Sequence, residues 1–147
     1  MLISDAQVVG NWVASMVGCS MPGSGATALG LVHKGKLVAG ALYEDFTTAS
    51  ISMTVAVANN APITREFLWA IFDYPFNQLA VEKVVSYSNS SNKASQLLQR
   101  RVGFAEEGRI KGVYVDGDEI ISTLTKESCI WLKRLSHGQE SKHSSRA

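Results

Sequence analysis

The stretch from Asn92 to Gly108 allows few backbone paths. Asn92 is a residue type that caps a helix, because its short side chain accepts from free N–H groups of the first turn. Ala94, Leu97 and Leu98 follow at helical spacing. Arg100 and Arg101 are cations suited to a last turn, where unpaired carbonyls face outward. Gly103 can take the left-handed conformation that stops a helix, and Phe104 behind it brings an aromatic to the core. The spacing therefore predicts a helix over 92–102 that turns at once into a strand against the same core.

The chain has 147 residues, 46% hydrophobic and 18% charged, enough for one buried core and an ordinary globular mix. A single domain over 1–135 is expected. Residues 136–147 have no large apolar side chain and read as a polar, disordered tail. The net charge of +1 gives no general attraction to nucleic acid or acidic membranes. Trp12, Trp69 and Trp131 are too scattered to make a stacking platform for bases. Cys19 and Cys129 lie far apart without ligand spacing, so neither a disulfide framework nor a metal site is expected. With no leader pattern and no apolar run of bilayer length, a reduced, cytoplasmic setting is the expectation.

Residues 5–17 predict a helix, with Val8, Val9, Trp12, Val13, Met16 and Val17 recurring and Asp5 as its cap. Residues 19–25 are a loop by composition. Thr27–His33 and Lys36–Tyr43 flank a hairpin turn at His33-Lys34-Gly35-Lys36. Ala49–Ala58 alternates as a strand, with Ile51, Met53, Val55 and Val57 on one face. Pro62–Phe76 reads as a helix with Pro62 in its first turn, burying Leu68, Ile71, Phe72 and Phe76. Lys83–Ser88 is a short strand. Two last strands, about 105–115 and 118–126, join through Asp116-Gly117.

The pattern N-x-x-S-(x)7-G-F-x-x-E-G, carried by Asn92, Ser95, Gly103, Phe104, Glu107 and Gly108, resembles the last conserved block of the GNAT acyl-CoA N-acyltransferases. It is most similar to the branch that acetylates N-terminal amines of ribosomal proteins. The segment Tyr74-Pro75-Phe76 to Lys83-Val84-Val85 resembles the family's helix end and following strand. The resemblance covers roughly residues 30 to 126. It implies an α+β (mixed α/β) fold: a central, mostly antiparallel twisted sheet with helices on both faces and the first strand shortened or absent. It also implies acetyl-CoA as co-substrate, no metal, and an amine acceptor, either a small molecule or a protein.

Carried over residue by residue, the resemblance places the phosphate loop at Asn59–Glu66. Backbone donors of Ile63, Thr64 and Arg65, with the Thr64 hydroxyl and the Arg65 guanidinium, would hold the pyrophosphate at a helix N-terminus. The family's glycine-rich segment is replaced here by Asn-Asn-Ala-Pro. Val55 and Val57 would offer backbone hydrogen bonds to the pantetheine arm, in a gap between two splayed strands. A backbone N–H near Val57 would hold the oxyanion. Asn92 would bond the arm, and Ser95 the sulfur or leaving thiolate. The tyrosine that many members use as acid corresponds to Gln99, which cannot act as one.

An amine must lose a proton to react. Ala49–Ala58 holds no acid, so Glu44, next to Asp45, is the candidate base, with ordered water as the alternative. Glu107 is expected to be structural. The missing glycines and tyrosine leave open a non-catalytic GNAT-like domain that binds a protein partner, with or without CoA. The short N-terminal region predicts an acceptor pocket that is open or completed by a second subunit, hence a homodimer.

Overall fold

The computed structural model describes residues 1–18 and 21–132. Cys19 and the tail expected over 136–147 lie outside them. The elements in chain order are β1 (Leu2–Ile3), α1 (Ala6–Val17), β2 (Thr27–His33), β3 (Lys36–Glu44), β4 (Ser50–Val57), α2 (Arg65–Asp73), a π turn (Tyr74–Gln78), β5 (Lys83–Asn89), α3 (Lys93–Val102), β6 (Ala105–Tyr114) and β7 (Gly117–Thr125). The strands form one seven-stranded sheet in the order β1-β2-β3-β4-β5-β7-β6. Among the described strands only β4 and β5 pair in parallel; the crossover between them is α2 with its π turn, the connection a parallel pair requires. The shortened first strand is the two-residue β1.

Local chemistry sets the boundaries. The β2–β3 hairpin turns at Lys34 (φ 52°) and Gly35 (φ 76°), the two positive φ values of the tight turn that matches strand twist. Asp5 accepts from Gln7 N–H and Val8 N–H and caps α1. The second helix begins later than its periodicity predicts. Thr64 Oγ1 accepts from Phe67 N–H at 3.0 Å, so α2 starts at Arg65 and Pro62 lies outside it. At its far end Pro75 has no N–H to return to Ile71, and the ladder widens into the π turn, closed by Leu79 N–H to Tyr74 O at 3.0 Å. The Ile71 carbonyl that Pro75 leaves unpaired accepts the Tyr43 hydroxyl at 2.5 Å. Tyr43 is fully buried, and that burial, first, with Tyr74 beside it, pushes its phenol well above the ordinary range.

The two faces of the sheet are packed differently. On one face α1 lies across β2, β3 and β4, with Val9 and Val13 against Ala28, Leu42 and Ala56. Gly30 and Gly40 are cross-strand partners. A Cβ on either would meet a valine methyl of α1 at 2.8 Å, so the paired glycines form the notch that seats the helix. The other face carries the larger core, where Phe67, Ile71, Phe72 and Phe76 cover Tyr43, Met53 and Val84. Phe104 sets its ring at a tilt, 6.2 Å from that of Phe72.

Helix α3 departs from the sequence reading. Asn92 caps it and Gly103 ends it with φ 118°, but Ala94 and Leu97 are exposed and only Val102 is fully buried. Leu98 is half-buried against the core beside Val102, and polar contacts do the rest: Gln96 Nε2 donates to the carbonyls of Asn89, Ser90 and Asn92, and Trp131 Nε1 donates to Val102 O. Among the described residues no helix is long and apolar enough to cross a membrane.

Candidate functional site

β4 and β5 pair at only three positions, Ser50 with Lys83, Ile51 with Val84 and Ser52 with Val85. Beyond them the strands diverge, and the sheet has a wedge-shaped opening at its centre. The β3–β4 register runs from Glu44–Ser52 to Ala39–Val57, and Ala58 N–H donates to Val38 O at 2.8 Å. Backbone groups alternate sides along a strand, so those of Thr54 and Ala56 turn toward β3. Those of Val55 and Val57 turn toward the wedge. On β5, Ser90 N–H donates to Asp118 O at 2.8 Å, so the even-numbered groups serve β7 and those of Tyr87 face the opening. The wedge thus has a backbone edge on each side, as an unfinished sheet does.

A cavity of about 560 Å³ runs through the wedge. Val17, Gly18, Met21 and Glu44 line it on the α1 side, and Ser86, Ser88, Ser95 and Gln99 on the α3 side. Its charged lining residues are two carboxylates, Glu44 and Glu119. Glu44 stands at the end of β3 beside the last β4–β5 pair; its Oε2 accepts Gly23 N–H at 3.4 Å, and its carbonyl accepts the Ser52 hydroxyl at 3.0 Å. Glu119 accepts the Tyr114 hydroxyl at 3.4 Å.

Of the residues expected to act, Glu44, Val55, Asn92 and Ser95 line one cavity. Asn92 Oδ1 is engaged as the cap, accepting Ser95 N–H at 3.0 Å, which leaves its amide N–H groups to point outward. Val57 lies two residues beyond Val55 on the wedge edge. Ile63, Thr64 and Arg65 lie outside the cavity wall, exposed at the N-terminus of α2. With Phe67 N–H taken by Thr64, the helix offers its earlier N–H groups, at Arg65 and Glu66, to an anion. Pro62 costs this site nothing, because it precedes the helix.

Glu107 is the extra residue of a bulge between Glu106 and Gly108. It accepts from Thr123 Oγ1 at 2.6 Å and Lys83 Nζ at 3.2 Å, and these contacts hold its carboxyl below the usual range. It is not among the residues that line the cavity. Sequence reasoning missed Ser86, Ser88 and Glu119. A signal was present for the serines: Val84, Ser86 and Ser88 alternate on one face of β5, and the last two are polar where a core strand would be apolar. No group of three or more His, Cys, Asp or Glu side chains among the described residues is placed to hold a metal ion.

This arrangement, a mixed sheet split between its central parallel strands with a capped helix after each, is the fold of the GNAT acetyltransferases. Solved structures make the likeness concrete. The spermidine N-acetyltransferase SpeG F149A mutant from Vibrio cholerae superposes with a TM-score of 0.63 at 16% identity, over 76% of this chain and 70% of that one. The ribosomal-protein-S5-alanine acetyltransferase from Vibrio fischeri gives 0.57 at 16% identity, over 71% of this chain and 63% of that one. The Campylobacter jejuni N-acetyltransferase PseH, solved in complex with acetyl coenzyme A, gives 0.54 at 18% identity, over 71% of this chain and 70% of that one. This chain thus spans less than two thirds of the Vibrio fischeri enzyme's length. No protein-family model matches the chain, and no curated protein does.

Proposed function

We propose that the protein is an acetyl-CoA-dependent N-acetyltransferase that moves an acetyl group directly to a primary amine. The observation that carries this reading is the wedge itself: unpaired backbone of Val55, Val57 and Tyr87 beside a cavity of about 560 Å³. An extended arm with amide groups is the ligand such edges suit, since it completes the sheet on both sides. The pyrophosphate would rest on the N-terminus of α2, at Ile63, Thr64 and Arg65. Asn92 would bond the arm through its free amide N–H groups, and Ser95 would reach the sulfur end from the same helix face.

The acceptor would enter on the α1 side, where Glu44 and Glu119 supply negative charge and, among the described residues, no cation lines the cavity. Glu44 would take the ammonium proton, and a backbone N–H near Val57 would hold the oxyanion. No acyl-enzyme is needed, and Cys129 is buried. A protein N-terminus, a lysine side chain and a small amine would each bring the cationic group that this face attracts. The neighbours include one enzyme named for spermidine and one for the alanine of ribosomal protein S5.

A second reading, a non-catalytic GNAT-like domain that engages a protein partner, draws support from β6. This edge strand is exposed along nearly its whole length, with Ile110, Val113 and Tyr114 open to solvent. A homodimer completing the acceptor pocket is a separate expectation, which a monomeric mass by light scattering removes.

Amine-dependent release of free thiol from acetyl-CoA, followed over a panel of diamines and N-terminal peptides, tests the enzyme reading. Turnover with a saturable amine supports it; tight acetyl-CoA binding with no acceptor turned over supports the second. If Glu44 is the base, Glu44→Gln lowers turnover and flattens the rise of rate with pH. An unaltered profile assigns the role to water.

A further inference from the structure

We infer that Ser86, oriented by Gln99, is the hydrogen-bond donor to the CoA sulfur, so that this pair fills the role for which the chain lacks a tyrosine. The inference rests on the acetyl-CoA reading above. Ser86 follows directly after the last β4–β5 pair, at the point of the wedge where an arm threaded between the strands must end. Its side chain is only 4% exposed and lines the cavity. Gln99 Nε2 donates to Ser86 Oγ at 3.1 Å.

That bond has a direction. An amide N–H can only donate, so Ser86 Oγ is the acceptor and keeps its own O–H to give elsewhere. Among the described residues no acceptor receives it, and the open space before it is the cavity. A hydroxyl that already accepts from an amide is polarised toward donating. Two residues along the same face, Ser88 is 6% exposed and its Oγ has no hydrogen-bond partner among the described residues. Buried hydroxyls rarely stay unpaired without a reason. Beneath α3 the wall of β5 is therefore polar where packing alone calls for valine, and it is aimed at a ligand that brings acceptors.

Ser95 stands on the same helix, one turn closer to its N-terminus than Gln99. α3 runs back along β5: Gln96 reaches Asn89 and Ser90, whereas Gln99 reaches Ser86. Ser95 is thus nearer the open mouth and Ser86 nearer the point; both hydroxyls would border the sulfur, and Ser86, already accepting from Gln99, is the one placed to donate to it. In the reaction the acceptor nitrogen bonds to the acyl carbon, the C–S bond breaks, and its electron pair leaves on sulfur. The acceptor loses two protons, one to become a neutral nucleophile and one from the cationic nitrogen of the tetrahedral intermediate; each passes through Glu44 or water on the α1 side to solvent. Ser86 lends a hydrogen bond to the thiolate and keeps its proton. A thiolate whose conjugate acid ionises near pH 8.5 is a good enough leaving group to depart charged without an acid, so a neutral donor is enough, and the free thiolate takes its proton from solvent after release.

Equilibrium binding of CoA and desulfo-CoA to the full chain tests the assignment with no acceptor needed. The ratio of the two affinities is measured well below and well above the thiol's ionisation. In the wild type the preference for CoA grows about tenfold as the thiol ionises, the effect of one charge-assisted hydrogen bond. Ser86→Ala removes that pH-dependent growth while desulfo-CoA affinity stays within about twofold, and Ser86→Thr, which keeps the hydroxyl, restores it. Gln99→Met reduces it without touching the hydroxyl, and serves if Ser86→Ala does not fold. An undiminished pH-dependent preference in folded Ser86→Ala, or in folded Gln99→Met, overturns the assignment. Failure of the wild type to bind either ligand overturns the acetyl-CoA reading itself.

Discussion

Helices α1 and α3 lie on opposite faces of one sheet and are held by opposite means. α1 drops Val9 and Val13, both fully buried, into a notch made by Gly30 and Gly40. α3 is as amphipathic in sequence, yet Ala94 and Leu97 face solvent and the strand beneath it presents Ser86 and Ser88. Hydrogen bonds from Gln96, Gln99 and Trp131 keep it in place. One helix is fixed by shape, which gives stability. The other packs Leu98 and Val102 on the core but otherwise stands over a cavity by polar contacts, and leaves apolar burial unused where the proposed cofactor arm would pass. The half of the sheet that carries α1 is scaffold; the seam between β4 and β5 is where the molecule departs from good packing, and departures of that sort mark functional sites.

The strongest way to break the contrast is at the notch. Gly40→Val puts methyls into Val9 and Val13, whose stiff side chains have no room to turn, and should cost about 3 kcal/mol. Urea unfolding measures it. A loss below about 1 kcal/mol means that α1 is not seated as described. On the other side, Ser95→Ala should lower turnover several-fold and leave both stability and acetyl-CoA affinity nearly unchanged. Unchanged turnover removes Ser95 from the chemistry.

Ser88→Ala sharpens the comparison in the reverse sense. Deleting an unpaired buried hydroxyl should stabilise the chain by about 1 kcal/mol and weaken its binding of acetyl-CoA. A destabilised variant would show that Ser88 has a partner in the fold. The smallest effect is electrostatic. Hydrogen bonds from Asn89 at 2.8 Å and Ser91 at 3.0 Å hold the Asp116 carboxyl below its ordinary range. A carboxyl lowered in the folded state stabilises it above the unfolded pKa of about 3.9, and loses that contribution as pH falls through the folded value. Ser91→Ala should therefore be slightly less stable than wild type at neutral pH, with the gap closing below about pH 4. A gap independent of pH assigns the loss to something other than Asp116.

Much of the scaffold was legible because its signals are local. Asp5, Gly103 and the Lys34-Gly35 pair each dictate a backbone conformation whatever surrounds them. The alternation of Ile51, Met53, Val55 and Val57 sets the faces of β4 in the same way. The start of α2 was misread because Pro62 suits a first turn, while Thr64, a better cap, stood two residues later. The burial expected of Ala94 and Leu97 failed for a different reason. Periodicity says which side of a helix is apolar, not whether the surface opposite is there to meet it. Glu119 and the two serines became visible only when register placed them around one opening, since they come from strands distant in sequence. Their polarity on an inward face was the trace they left.

The central claim is that the backbone edge at Val55 and Val57 is completed by the arm of acetyl-CoA. Residue-resolved hydrogen exchange, with and without saturating acetyl-CoA, reads that edge directly. The account predicts that the Val55, Val57 and Tyr87 amides exchange quickly in the free protein and become protected on binding, while those of Thr54 and Ala56, already bonded to β3, barely change. Binding that leaves Val55 and Val57 unprotected would contradict it.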